Sequence, residues 1–162
     1  MSNGEYKFAK DDDRYFIKLT GDLKYNESGN FASFINHLDR NREFKNILVD
    51  MTEVDYIDST NLGLLAKLAQ MVIEKYNHRI TVLTTNPDIT DLLHNIGFDD
   101  ICLLIEDPET LDMPFENIMG VDEAEESMAK VMLEAHRRLM NMNEENKKEF
   151  KNVVELLEKQ VE

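Results

Sequence analysis

Between residues 5 and 110, short runs rich in β-branched and aromatic residues alternate with amphipathic helical stretches, and no other feature constrains the fold as strongly. Strands separated by helices return to one sheet side by side and in parallel. Tyr15-Phe16-Ile17-Lys18-Leu19-Thr20 reads as a strand ending in a turn at Gly21, and Tyr6-Lys7-Phe8-Ala9 can pair with it across the polar 10–14 stretch. Phe31, Phe34, Ile35 and Leu38 fall on one face of a predicted helix over 28–41. Ile47-Leu48-Val49-Asp50-Met51 is a short, mostly apolar run of the kind a strand covered on both faces carries.

Asp58-Ser59-Thr60 then opens a helix in which Leu62, Leu65, Ala66, Ala69, Val72 and Ile73 recur at helical spacing as far as Tyr76. Residues 80–84 read as another strand. Asn86-Pro87 starts the next helix, where proline's missing N–H costs nothing, and Gly97 stops it at a position that favours a left-handed cap. Residues 101–105 form the last predicted strand. The expected fold is α/β, a sheet of about four to five mostly parallel strands with helices packed on it.

The grammar changes after residue 121. From 122 to 162 there is no Gly, Pro or β-rich run. Met128, Met132, Ala135, Leu139 and Met142 form one apolar stripe, and Phe150, Val153, Val154, Leu157 and Val161 form another. One long helix or two helices broken near Asn143 fit this pattern; two are favoured, the second starting at Asn146-Lys147-Lys148-Glu149, where Asn caps and Glu returns the bond. The organisation is thus a domain over 1–110, a joint over 111–121 holding Pro114 and Gly120, and a C-terminal helical extension over 122–162. Six of the nine methionines lie at or beyond Met113, and flexible, polarizable side chains suit adaptable contacts. The extension either folds back on the domain or serves as a surface for a homodimer or a second partner.

Charge narrows the function classes. A formal charge of −15 supplies no basic face for nucleic acid or for an anionic membrane surface, and a basic protein partner is better matched. No apolar run reaches the ~18 residues of a membrane span. The opening residues, Met1 and Ser2 included, lack the basic and apolar parts of a secretory leader, so a cytoplasmic protein is expected. The single cysteine, Cys102, excludes an internal disulfide and reads as a buried, inert thiol.

Chemistry concentrates at Asp58-Ser59-Thr60. Any of the three can cap a helix, and one suffices. A hydroxyl at a strand-to-helix junction also stands at the end of the sheet where α/β proteins place their sites. A phosphoryl group there would meet the positive end of a helix dipole, so the fold would tolerate it while the surface gained about two negative charges. A serine nucleophile would instead need a positioned base, and no histidine lies near in sequence. His37, His78, His94 and His136 are scattered without zinc spacing. Asp11-Asp12-Asp13 lacks the glycine and terminal glutamate of a calcium loop and reads as a solvated turn. Asp99-Asp100 and Glu106-Asp107 read as loop charge, and Gly63 and Gly97 stand alone rather than in a phosphate loop. No metal and no cofactor is expected.

The run 47–50 followed by Tyr56-Ile57-Asp58-Ser59-Thr60-Asn61-Leu62-Gly63-Leu64-Leu65 resembles the signature of the STAS family, more narrowly its anti-sigma-factor antagonists. Gly21-Asp22-Leu23, Asn86-Pro87, Leu92-Leu93 and Gly97-Phe98 extend the resemblance over about residues 5 to 110. It implies a regulatory binding protein, not an enzyme, with Ser59 as phospho-acceptor. The implied partners are an anti-sigma factor that is also a serine kinase, bound when Ser59 is unmodified, and a metal-dependent serine phosphatase that restores binding. Docking is implied for Asp58, Ser59, Thr60, Asn61, Leu62 and Gly63 on an exposed helix face, with the neighbouring loop around Asp22 to Glu27. Asn61 stands where the family usually has Gly; Asn best tolerates a left-handed backbone there. A different use of such a domain is as a scaffold whose acidic, Met-rich tail binds a second partner.

Overall fold

The structure is a computed structural model, and it describes residues 3–41, 43–107, 111–119 and 127–161. Met1, Ser2, Gly120, Val121 and the first residues of the extension, all used in the sequence reading, lie outside these.

A hairpin opens the chain: β1 (Glu5–Asp11) and β2 (Arg14–Leu23) pair antiparallel around a two-residue turn in which Asp12 takes φ +57°. The acidic triplet is this turn, with Arg14 on Asp11 at 2.8 Å and Lys45 on Asp13 at 3.3 Å. Helix α1 (Gly29–Asn41) buries Phe31, Phe34, Ile35 and Leu38, as the spacing required. Next come β3 (Asn46–Ile57), α2 (Ser59–Tyr76), β4 (Ile80–Thr84), α3 (Pro87–Ile96) and β5 (Cys102–Glu106). Asn86 caps α3 by accepting from the Asp88 N–H at 3.0 Å, and Gly97 ends it at φ +102°.

The sheet has six strands in the order β5-β4-β3-β2-β1-β6, with β2 to β5 mutually parallel. The sixth, β6 (Glu116–Asn117), lies in the expected joint and pairs with Lys7 and Phe8. Two polar residues give no apolar alternation to read. Strand β2 also differs from expectation: it continues past Gly21 to Leu23. Gly21 adopts φ +76° beside a register shift, so the glycine absorbs a bulge rather than a turn. Asp22 is therefore a half-buried strand residue opposite Tyr56, not a loop residue. Strand β3 runs six residues beyond Met51, because Val54 and Ile57 stay buried while Glu53, Asp55 and Tyr56 point to solvent.

The extension forms a helical hairpin, α4 (Met128–Met140) and α5 (Glu144–Val161). Its second start is earlier than the sequence suggested. Asn143 is the cap, accepting from the Asn146 N–H at 2.8 Å. Asn146 lies inside α5, 3% exposed, and its amide donates to the Ile96 and Leu139 carbonyls at 2.9 and 3.0 Å. Asn143 also donates to Ile96 O at 3.0 Å, so the bend of the hairpin satisfies a carbonyl left over at the end of α3.

Helix α4 shares the main core. Val131 and Leu139 belong to it, with Met128, Met142 and Phe150 packed alongside, while Leu133, Val154 and Leu157 join the two helices of the hairpin. Contact with α2 is backbone-close: a Cβ on Gly63 would stand 2.2 Å from Ala135 O. Lys67, 7% exposed, crosses the seam to Glu134 Oε1 at 2.8 Å, and Arg138 reaches Gln70 Oε1 at 2.8 Å. No helix among the described residues is long and apolar enough to cross a membrane.

Candidate functional site

Asp58 is the N-cap of α2, with extended backbone (φ −86°, ψ 173°) inherited from β3. Its Oδ1 accepts from the Asn61 N–H and Asn61 Nδ2, each at 2.9 Å, and its Oδ2 accepts from the Tyr25 N–H at 2.5 Å. One carboxylate therefore ties the start of α2 to the loop after β2. Both carboxylate oxygens are thus engaged in holding the cap.

Asn61 completes this brace from beneath. It is helical and 1% exposed, and its Oδ1 accepts from the Tyr6 hydroxyl at 2.6 Å. The left-handed backbone anticipated for it is absent: among non-glycine described residues only Asp12 and Asn77 have positive φ. The residue in the usual glycine position is an interior hydrogen-bond hub linking β1 to the cap. Burial, then the Asp58 and Glu27 carboxylates, push the Tyr6 phenol above its ordinary range, partly opposed by the Asn61 bond.

Ser59, the first residue of α2, is half-buried. Its Oγ lies 2.8 Å from Nε2 of His136, on α4. The other ring nitrogen, Nδ1, is 2.6 Å from the Met132 carbonyl, which can only accept, so Nδ1 carries a proton. In the neutral ring Nε2 is then the acceptor, and the Ser59 hydroxyl donates to it. The ring is 4% exposed and meets Phe150 of α5 edge-on at 6.0 Å.

Ser59 opens onto a cleft of about 440 Å³. Lys24, Tyr25, Asn26 and Tyr56 form one wall, Asp58, Ser59 and Thr60 the floor, and Met132, His136 and Val153 of the hairpin the other wall. Tyr25 and Tyr56 are each 48% exposed and Val153 39%, an apolar rim around a polar floor.

The structure thus brings Asp58, Ser59 and Thr60 together at one cleft. It does not expose the helix that follows. Thr60, Asn61, Leu62 and Gly63 are all buried: α4 lies against Gly63, Leu62 is in the main core and Asn61 faces Tyr6 of β1, so the expected docking face of that helix is covered. Sequence reasoning passed over Tyr6 and set His136 aside as one of four scattered histidines, whereas Tyr25 falls in the expected docking loop and lines the cleft. For His136 a signal exists, since it falls on the apolar stripe four residues after Met132 and three before Leu139. A histidine there needs a polar partner inside.

Two chemistries suit a serine so placed. A histidine accepting from a hydroxyl is the arrangement of an activated nucleophile, here oriented by a carbonyl rather than a carboxylate. A hydroxyl at a helix N-terminus beside an open cleft is equally the arrangement of a phospho-acceptor. Among the described residues no group of three His, Cys, Asp or Glu side chains is placed to hold a metal ion.

A family model described as the STAS domain matches residues 6–111, leaving α4 and α5 outside the match. Among solved structures, the chain is similar to the anti-sigma factor antagonist SpoIIAA in its unphosphorylated form, with a TM-score of 0.53 and 14% identity, covering 63% of this chain and 88% of that one. It is likewise similar to the phosphorylated form of SpoIIAA, a Bacillus cell fate determinant, with a TM-score of 0.52, 14% identity, and 63% and 92% coverage. At such identity the likeness concerns the fold. No curated protein matches the chain.

Proposed function

The chain belongs to the STAS domain family, and on that premise we propose that it is a phospho-regulated binding protein, an anti-sigma-factor antagonist of a partner-switching pathway. Unmodified at Ser59 it binds an anti-sigma factor that is also a serine kinase. Phosphorylation of Ser59 abolishes binding, and a serine phosphatase restores it. The protein is a cytoplasmic regulator of transcription rather than an enzyme.

One observation carries this reading. Ser59 sits at the N-terminus of a long helix, half-exposed, on the floor of a cleft whose rim is aromatic and apolar. A phosphoryl group there lands at the favourable end of the helix dipole, so the fold survives. It also places about two negative charges in the middle of the contact, where a partner's apolar or acidic face is repelled or left desolvated. Docking is assigned to Asp58, Ser59 and the rim residues Tyr25 and Tyr56. Thr60 walls the cleft, and Asn61, Leu62 and Gly63 act from beneath by holding the cap and the hairpin. Asp22 contributes through the pairing that positions Tyr56.

The test is capture of candidate anti-sigma factors by wild type, Ser59→Ala and Ser59→Asp. Ser59→Ala should bind as wild type does, and Ser59→Asp should lose at least ten-fold in affinity. Equal binding by all three would sink the proposal. A second reading, that the acidic tail of a STAS scaffold recognises its own partner, draws on Leu156, which is 62% exposed on α5. It predicts that Leu156→Glu abolishes capture while both Ser59 variants bind.

A further inference from the structure

The wall of the cleft formed by α4 and α5 lies outside the STAS match, yet it reaches the acceptor serine itself. We propose that the C-terminal hairpin is the detachable half of the docking surface, latched to the domain by the Ser59–His136 hydrogen bond, and that phosphorylation switches binding off by releasing it. This rests on Ser59 being the acceptor and adds how the modification is transmitted.

The latch follows from the two ends of one ring. With its Nδ1 proton on the Met132 carbonyl, His136 presents a lone pair to Ser59, and only a donor can satisfy it. The hydroxyl is that donor. Phosphorylation replaces the O–H bond by O–P, so the proton is gone and anionic oxygens face the lone pair. The ring has little freedom to turn away: it is 4% exposed, packed by Phe150, and turning breaks the Met132 bond. With no proton taken up at Nε2, relief comes from moving α4; uptake of a proton there would pair the ring with the phosphoryl oxygens and hold the hairpin instead.

What α4 leaves behind is half of the site. Met132, His136 and Val153 are its contribution to the cleft, so departure of the hairpin dismantles the wall facing Tyr25 and Tyr56. Release must draw Val131 and Leu139 from the main core and Asn143 and Asn146 from the Ile96 carbonyl, while the seam to α2 itself is open to parting. Its backbone approach at Gly63 leaves no side chain interlocked at that point, and Glu134, which meets Lys67 across the seam, is partly solvated. Helices of 13 and 18 residues are marginal alone in water, so release exposes their amides. A modification of one side chain thereby removes a whole surface.

Hydrogen exchange on the full chain at pH 8, without partner, tests this directly. With phosphoserine incorporated at position 59, residues 128–140 and 144–161 should exchange at least ten-fold faster, while β4 and α3 keep their protection. Ser59→Ala should speed hairpin exchange several-fold, a loosening that leaves the hairpin docked and capture near wild type, and adding it to His136→Ala should change exchange by less than about two-fold, because the shared bond is already gone. Unchanged or slower hairpin exchange with phosphoserine overturns the proposal, as do additive effects in the double variant. Failure here is distinct from failure of the switch: if exchange is unmoved while Ser59→Ala and Ser59→Asp still differ in partner capture, the switch stands and the latch falls.

Discussion

Gly63→Ala is the sharpest probe of how the extension sits on the domain. In an isolated helix this substitution stabilises by about 1 kcal/mol, because Ala gives up less backbone entropy. Here the added Cβ would stand 2.2 Å from Ala135 O, 2.4 Å from its carbonyl carbon and 2.6 Å from its Cα. All three are backbone atoms, so no rotamer change makes room. Ordinary contact begins near 3.4 Å, so α2 and α4 must part by more than 1 Å. A gap of that size forfeits roughly a quarter to a half of each dispersion contact along the seam. Overpacking costs about 1–3 kcal/mol, and a backbone-to-backbone clash belongs at the upper end. Net of the propensity gain, Gly63→Ala should destabilise by about 2 kcal/mol, lowering the thermal midpoint by about 4–8 °C for a chain of this size. Gly29→Ala is the control, since its Cβ would meet nothing within 4 Å and should move stability by less than about 0.5 kcal/mol. Differential scanning calorimetry reads both. A midpoint for Gly63→Ala at or above that of wild type would refute the packing of α4 on α2.

Three further outcomes follow from the same interior. Restoring the family's usual residue with Asn61→Gly should cost about 2–4 kcal/mol in urea unfolding, because the buried Tyr6 hydroxyl loses its acceptor and the helix gains a glycine; adding Tyr6→Phe should recover part of this. Lys67→Glu places a second carboxylate against Glu134 and should speed hydrogen exchange of 128–140, whereas Lys67→Met, which keeps the stem, should do so less. Above pH ~9 stability should fall. Burial holds the Cys102 thiol up at about 12 from its ordinary 9.0 and raises the Tyr6 phenol, so the unfolded chain releases these protons first. That stabilisation is complete below pH 9 and is lost as pH climbs towards 12. Urea midpoints between pH 8 and 11 should therefore drop more steeply in wild type than in a Cys102→Ala/Tyr6→Phe variant.

Local signals were legible where one residue type has one backbone job. Asn86-Pro87 and Gly97 bracket α3 because a cap, a fixed φ and a left-handed terminus are each written in a single side chain. The start of α2 at Ser59 was legible for the same reason, and its surroundings resembled the STAS motif. Long-range consequences were not. The stripe from Met128 to Met142 is the same whether it meets its own domain or a second copy, so sequence left the choice open. Intrachain packing uses most of it: Met128, Val131, Leu139 and Met142 all lie in or against the main core. Strand β6 and the far half of β3 escaped because two polar residues, or solvent-facing Glu53, Asp55 and Tyr56 interleaved with single apolar positions, carry no apolar run. His136 escaped because its partner is 77 residues away in sequence.

These misses share a consequence for how the motif works in this chain. A STAS acceptor serine is ordinarily weighed by what surrounds it in its own domain. Here the helix it begins is roofed by a segment beyond the family match, and the free approach to Ser59 is from the side of Tyr25 and Tyr56. Asn61 fits that arrangement. By holding Asp58 to Tyr6 it stiffens the floor of the cleft independently of the hairpin, since neither of its side-chain partners lies on α4 or α5. The brace of the cap therefore does not run through the roof, and the Ser59–His136 bond ties the start of α2 to α4 ahead of the Gly63 approach and the Lys67 and Arg138 contacts further along. On the proposed latch, a charge added at Ser59 frees the roof and leaves the cap, and with it the fold of the domain, in place.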